Sequence, residues 1–363
     1  MTQMTYTTFS FGGRSYRSAI GACLALWLGA AAAQPQGAPA QRLRIVGGLA
    51  GLNVFVNHEE PFWTRELARL SGGRFGAEIV PFDRAGIRSQ EVLTLLRLGV
   101  VPFATVQASS AGVKDAEILA VDLAGLNPDM KTLRRTVAAI RPHMETMLRE
   151  RHGIEALALY VYPAQVLFCK EALSGLDGLK GRRVRTSGPT QADWVEALGG
   201  QPVTTSFVDI LPNLRGGSID CAITGTMSGN TIGLHELTTH IHPMAITWGL
   251  SIFAANSAAW AALPPDLQVL LRRELPRLEQ AVWDEAERET EDGFACSVGA
   301  ATCRKGRRGQ MTGLAITPAD EQRRRAIFSS TVLPRWLQRC GEGCAAVWNR
   351  SIAPVAGVEA KPR

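Results

Sequence analysis

The chain has 363 residues, 46% of them hydrophobic and 20% charged, with a formal net charge of +6. That composition excludes a disordered polymer. So small a positive excess does not imply nucleic acid, though it suits an anionic small molecule. Arg14 and Arg17 precede SAIGACLALWLGAAAAQ, an apolar run that closes on small residues at Ala31 and Ala33. It reads as a secretory signal cut after Ala33, being too short for a spanning helix. A lipoprotein reading at Cys23 fails, because most of the apolar stretch follows that cysteine. The mature chain is expected in a periplasm without stable membrane insertion, its charge falling from +6 to +4 as Arg14 and Arg17 leave. About 330 residues then remain, enough for two domains.

Beyond a linker at residues 34–42, strands and helices alternate. LRIVGG, AEIVPF and VPFATV read as strands. PFWTRELARLSGG places Phe62, Trp63, Leu67 and Leu70 on one helical face, and SQEVLTLLRLG a second helix behind Ser89 as cap. NPDMKTLRRTVAAIRPHMETMLRERHG predicts a long helix capped by Asn127 and kinked or split at Pro142. IEALALYVYPAQVLFCK is extended and long enough to pass from one domain to another, and HPMAITWGLSIFAAN is the return crossing. Between them lie RRVRTS, TQADWVEALGG, QPVTTS, FVDILPNLRGG and SIDCAITG. PPDLQVLLRRELPRLEQAVWDEAERETEDG is a helix of many turns, interrupted at Pro276. The order predicts an α/β fold of two lobes with mostly parallel sheets and a cleft between them. The first lobe is drawn from residues 43–158 with about 246–290, and the second from 159–245 with about 291–363, including a C-terminal extension.

Six cysteines survive cleavage, and an even count in an oxidising compartment favours disulfides. Cys296 with Cys303 and Cys340 with Cys344 would close short loops. Cys169 and Cys221 lie in strand-like runs and pair only if those strands are neighbours. Zinc at the Cys-x3-Cys pair is the weaker reading, since no His follows at finger spacing. HELTTHIH holds His235, Glu236, His240 and His242 at spacings that fit no common metal pattern, so neither metal nor cofactor is expected.

The run LKGRRVRTSG raises the functional question. Alternation puts Arg183 and Arg185 on one strand face and Arg182 with Val184 on the other. A cation at the carboxyl end of a strand, just before a helix, sits where open α/β sheets bind ligands. The planar fork of arginine also matches a carboxylate. A surface ion pair is the competing reading. Asn57 and His58 after the first strand, and Gln107, Ser109 and Ser110 after the third, are further candidates from loops that commonly bind. Trp248, in the return strand, would either stack on a ligand or fill the core.

Leu179, Lys180, Gly181 and Arg185, then Ala197-Leu198-Gly199, Pro202-Val203, Phe207 and Gly217 to Asp220, together form a pattern at fixed spacing. It resembles the solute-binding component of tripartite ATP-independent periplasmic (TRAP) transporters, DctP type. WAALPPDLQVLL fits the same family, and the resemblance covers roughly residues 43–295. It implies a two-lobed binding-protein fold with a long helix spanning both lobes. It also implies that Arg185 pairs with the carboxylate of an organic acid, that Phe207, Thr224 and Gly225 line the site, and that TRAP membrane subunits are the partner. Thr224 stands where the family has Asn. The family's second arginine has no counterpart in LYVYPAQVLFCK, where Tyr160, Tyr162 and Gln165 lie instead. One cation with aromatic walls points to a monocarboxylate with an apolar or aromatic body. No Gly-x-Ser-x-Gly, P-loop or zinc-protease helix is present, so no enzyme is expected. A receptor serving a sensor kinase, or an enzyme on the same fold, is the alternative.

Overall fold

Runs rich in Val, Ile and Leu alternate with helices and sort into two separate sheets. The computed structural model describes residues 41–361; the export segment at 1–33 and most of the linker lie outside them. The first sheet takes β1 (Gln41–Gly47), β2 (Phe75–Pro81), β3 (Phe103–Gln107), β4 (Ile154–Tyr160) and β10 (Ser251–Asn256), in the order β2-β1-β3-β10-β4. β1, β2 and β3 are parallel, whereas β10 runs antiparallel to both of its neighbours. The second sheet takes β5 (Gln165–Cys169), β6 (Arg183–Thr186), β7 (Gln201–Thr204), β8 (Cys221–Gly225), β9 (His240–Thr247) and β11 (Thr312–Gly313). Its order is β11-β9-β5-β8-β6-β7, with β6 parallel to both β7 and β8.

The chain passes between the sheets three times, from β4 into β5, back from β9 into β10, and from β10 by way of a long helix to β11. The return crossing is held by Asp122, whose carboxylate accepts the backbone N–H of Trp248 at 2.9 Å and of Gly249 at 2.8 Å. Burial pushes the Asp122 carboxyl up to about 6, against the pull of those backbone donors. A helix of 33 residues, Pro265–Ser297, touches both sheets. At 1.5 Å per residue it is roughly 50 Å long. On the first sheet, the Trp283 indole N–H donates to the Leu159 carbonyl at 2.7 Å, and Glu279 accepts the Leu159 N–H at 2.9 Å. On the second, it lies against the helix Thr226–Ile232. Glycine is required at 293 for that approach, since a β-carbon there would stand 2.2 Å from the Met227 nitrogen.

Several local expectations are corrected. Pro142 does not split the helix Met130–His152, and Pro276 does not interrupt the long one. Each proline removes a single backbone donor, while buried faces such as Leu133, Val137, Ile140 and Met144 hold the helix together. The cap is Asp129, which accepts the Thr132 N–H at 2.7 Å. Asn127 instead donates to the Val121 carbonyl and accepts from Thr136. NHEE is not a loop: Val54–Glu59 is π-helical, with Val54, Phe55 and Glu59 turned into the core. The C-terminal extension folds as the helices Pro318–Ile327, Leu333–Cys340 and Cys344–Ser351, with Trp336 and Trp348 packed 5.7 Å apart. No helix among the described residues is long and apolar enough to cross a membrane.

Three disulfides join Cys169 to Cys221, Cys296 to Cys303 and Cys340 to Cys344. The first links register partners on β5 and β8, so the two apolar strands are indeed neighbours. With a sequence separation of 52 between its cysteines, it constrains the unfolded chain by about 4 kcal/mol at the chain-entropy limit. Replacing both Cys169 and Cys221 by Ala is expected to lower the urea-unfolding free energy by about 2–4 kcal/mol, with the long helix still formed by circular dichroism.

Glu59 is fully buried beneath the first sheet's carboxyl ends, accepting the Gly48 N–H at 2.8 Å and the Thr105 hydroxyl. Burial raises its carboxyl to about 7, although both donors oppose the shift. The folded chain therefore binds this proton more tightly than the unfolded chain does. The contribution favours folding below the ordinary carboxyl range and is lost as the pH rises through 7. Glu59→Gln keeps both partners and removes the charge. It is expected to stabilise the protein at pH 8 relative to pH 5 by up to about 3 kcal/mol, read as the difference between wild-type and variant denaturation curves at the two pH values.

Candidate functional site

A cleft of about 730 Å³ opens between the two sheets. It lies at the carboxyl ends of their parallel strands, where a βα turn can present side chains and backbone without breaking the sheet. The first sheet contributes Leu49 and Leu52 beyond β1, Phe82 and Asp83 beyond β2, and Gln107 and Ser109 at the end of β3. The second contributes Arg185 and Ser187 from β6, Thr205 to Asp209 beyond β7, and Thr224, Gly225 and Ser228 from β8 and its following helix. Tyr162, Gln165, Gly249 and Leu250, from the first two crossings, line it as well.

The four cations of LKGRRVRTSG meet four different fates. Lys180 is exposed. Arg182 donates to the carbonyls of Glu171 and Ala172. Arg183 forms a forked pair with Asp220, Nε to Oδ2 at 3.0 Å and Nη2 to Oδ1 at 2.6 Å. Arg185 is 4% exposed and forms no ion pair with any described carboxylate. Its Nη1 donates to the Ile223 carbonyl at 2.8 Å, while Nε and Nη2 donate to the Thr205 carbonyl at 3.2 and 3.0 Å. Those three bonds fix the plane of the guanidinium and leave two of its five N–H groups free. Burial lowers its pKa to about 10, with Asp209 pulling the other way. It remains a cation at neutral pH.

Both sheets meet at one side of the cleft. Gly188 after β6 packs on the turn after β3, where a β-carbon at 188 would stand 3.1 Å from the Ser109 carbonyl oxygen. Gln165 is tied across the crossings: its Oε1 accepts from Gln191 at 2.7 Å and from Thr247 at 3.2 Å. The Tyr162 ring is buried on the floor, and its hydroxyl is held above its ordinary range by burial, then by nearby Glu59. Phe207, half-buried, and Val208, 56% exposed, form an apolar lip.

Of the residues singled out from sequence, Arg185, Thr224, Phe207, Gly225, Tyr162, Gln165 and Gln107 come together around the cleft. Asn57 and Trp248 do not. The helix carrying Asn57 turns it toward the long helix, where its amide donates to Glu285 at 3.3 Å and His58 contacts the same carboxylate. Trp248 is committed to the core, its indole N–H donating to the Asn127 carbonyl at 2.9 Å. Asp83 and Ser228 line the cleft without having been expected there. Asp83 had a readable signal, because it follows β2 as Gln107 ends β3. Ser228 had none, since its position depends on the helix that starts after Gly225. Asp292, Cys296 and Cys303 lie close enough to suggest a metal site. Both cysteines are oxidised and Asp292 already accepts the N–H groups of Arg304 and Lys305, so the cluster is a stapled loop.

Residues 58–295 match the family model of bacterial extracellular solute-binding proteins, family 7, DctP. The fold is shared with an extracytoplasmic solute receptor of Bordetella pertussis that binds pyroglutamic acid, at 18% identity and a TM-score of 0.74, over 85% of this chain and 99% of that one. It is similar to a TRAP periplasmic solute-binding protein of Desulfovibrio salexigens with bound orotic acid, at 15% identity and a TM-score of 0.74, over 84% and 96% of the two chains. A third likeness is to a TRAP periplasmic solute-binding protein of Shewanella oneidensis with bound succinate, at 17% identity and a TM-score of 0.70, over 85% and 98%. These likenesses bear out the two-lobed α/β architecture, with the cleft at the junction of the lobes. With well over half of its length matched, the chain belongs to the family 7 bacterial extracellular solute-binding proteins, the DctP type.

Proposed function

We propose that the protein captures a small organic acid anion in the cleft by pairing its carboxylate with Arg185, then delivers it unchanged to TRAP membrane subunits. The observation that carries this reading is a buried guanidinium, oriented by three bonds to carbonyls, that forms no ion pair with any described carboxylate. Removing a cation from water costs several kcal/mol unless a partner replaces the solvent, and a bound carboxylate is such a partner. The structural relatives with pyroglutamic acid, orotic acid and succinate support the same class of ligand. Export through the segment ending near Ala33 would place the receptor in the periplasm. Contacts from both lobes favour the closed cleft, and the solute shifts the balance only by its differential affinity for that state.

Thermal shift across a panel of organic acids tests this. A ligand at 100 times its Kd adds about 2.7 kcal/mol, which for a chain of this size moves the midpoint by a few degrees. Arg185→Ala is expected to abolish the shift for every acid. Arg185→Lys, which keeps the charge and loses the planar fork, should weaken binding at least tenfold. Shifts that survive in Arg185→Ala would move the anchor elsewhere.

Closure yields a separate prediction. Gly188→Val puts a branched side chain against the Ser109 carbonyl and wedges the lobes apart. It should raise the Kd for all acids about tenfold or more, while the ligand-free midpoint stays near wild type. Calorimetric titration beside an unliganded melt checks both parts.

A further inference from the structure

On the first sheet's side of the cleft lies a carboxyl group that the arginine anchor does not explain. Glu59 is fully buried, and its oxygens are met by the Gly48 N–H and the Thr105 hydroxyl. A β-carbon built at Gly48 would stand 3.0 Å from Glu59 Oε2 and 3.1 Å from the Tyr162 hydroxyl. The two oxygens thus crowd one spot that glycine leaves open, and Tyr162 lines the cleft together with Leu49. No described lysine, arginine or histidine pairs with this carboxyl. The titratable groups that face it are the phenols of Tyr160 and Tyr162, kept neutral by burial, with Glu279 and Asp83 beyond them. On its own helix His58 turns to Glu285 and Glu60 is exposed, while the long helix packed there presents Glu285 and Glu289. The next turn, Phe62–Glu66, holds Arg65 out in solvent. The cation that the cleft itself supplies is Arg185, since Arg88 on the same wall as Glu59 pairs with Glu91.

We infer that capture is proton-linked: as a solute anion neutralises Arg185 in the closing cleft, Glu59 takes up a proton and keeps it while the solute is bound. This rests on the carboxylate reading of Arg185 and adds a second ligand, the proton, with its own site. In the free receptor the charge of Arg185 acts across the cleft on an ionised Glu59. A bound carboxylate cancels that charge, sets a like charge nearer to Glu59, and displaces the water that screened it. Each change disfavours the ionised form. The direction with pH follows from the free receptor, where burial holds the Glu59 carboxyl at about 7. Below that pH Glu59 is already neutral, and binding exchanges no proton. Above it, binding must protonate a carboxylate, so affinity falls as the pH rises, by at most about tenfold per unit.

The test is calorimetric titration of pyroglutamate, orotate and succinate into wild type, Glu59→Gln and Thr105→Val at pH 6.5, 7.5 and 8.5. At pH 7.5 each titration is run in phosphate and in Tris, whose different ionisation heats count the protons exchanged. For the tightest acid, wild type should take up roughly 0.2 to 1 proton per solute at pH 7.5, and its Kd should rise about threefold or more between pH 6.5 and 8.5. Glu59→Gln should take up none, hold one Kd across the range, and bind more tightly than wild type at pH 8.5. That gain is one a merely damaged fold does not produce. Thr105→Val removes a donor that favours the carboxylate, and should move the fall in affinity to higher pH. Because the proton count in wild type needs no variant, a misfolded Glu59→Gln leaves Thr105→Val and that count to decide. Acid binding without proton uptake, or uptake that persists in Glu59→Gln, overturns the linkage and leaves the arginine anchor standing. If none of the three acids binds wild type, the carboxylate reading falls and the linkage with it.

Discussion

A guanidinium taken out of water dictates much of what surrounds it. Arg185 could be buried only because β6 runs between β7 and β8, so that backbone carbonyls at Thr205 and Ile223 lie within reach of its donors. Those carbonyls come from the chain just beyond β7 and from within β8, and both belong to the sheet that carries the arginine. They orient the cation without neutralising it. Arg183, two residues earlier, shows the contrast: its charge is already met by the carboxylate of Asp220. Neighbouring arginines of the same strand therefore do different work, one holding the sheet together and one facing the cleft.

The anchor is useful only if the opposite wall is held at the right distance, and that depends on the crossings. Asp122 grips the return crossing at Trp248 and Gly249, while Gln165 on the outgoing strand is linked to Thr247 and Gln191. The two connections are thus tied to the lobes by buried polar bonds, which are costly to leave unmade. The long helix adds a third link, with Trp283 on the first sheet and Gly293 against the helix beside the second. Three connections thus join the two sheets. The contact between Gly188 and Ser109 lies beside the return crossing, around a small cavity lined also by Gln191, Thr247 and Gly249.

Strand content was legible because the β-branched and aromatic runs were distinct, and because apolar stretches such as IEALALYVYPAQVLFCK exceed the length of one strand. Arg185 was legible for a similar reason: a cation inside an apolar strand before a helix is locally inconsistent, and inconsistency of that kind marks function. What failed was decided by tertiary contact. Pro142 and Pro276 are breakers in isolation, yet a helix packed along one face tolerates the loss of one donor. Asn57 looked like a loop residue because the π-helical turns of Val54–Glu59 have no simple sequence period. Trp248 offered two equal readings, and only the neighbouring Asn127 carbonyl separates core from cleft. Ser228 depended on a helix direction that no local pattern encodes.

The C-terminal extension, which lies beyond the family match at residue 295, acquires a physical role from its contacts. The Trp336 indole N–H donates to the Ala116 carbonyl at 2.6 Å, and Arg324 reaches the Gly125 carbonyl, both on segments that follow β3. Phe328 and Trp348 complete a packed aromatic group around that anchor. On its other side the same helix meets Asp193, on the helix after β6, through Arg335 and Arg339. The second side is packed as well: Asp193 is itself buried, Phe328–Val332 lies against the helix Pro189–Ala197, and Asp320 faces the buried His242 of β9 at 3.6 Å. An aromatic cluster that separates must expose its area to water, and a buried carboxylate that loses its guanidinium partners is left unpaired at a cost of several kcal/mol. The extension therefore packs on elements beside both sheets.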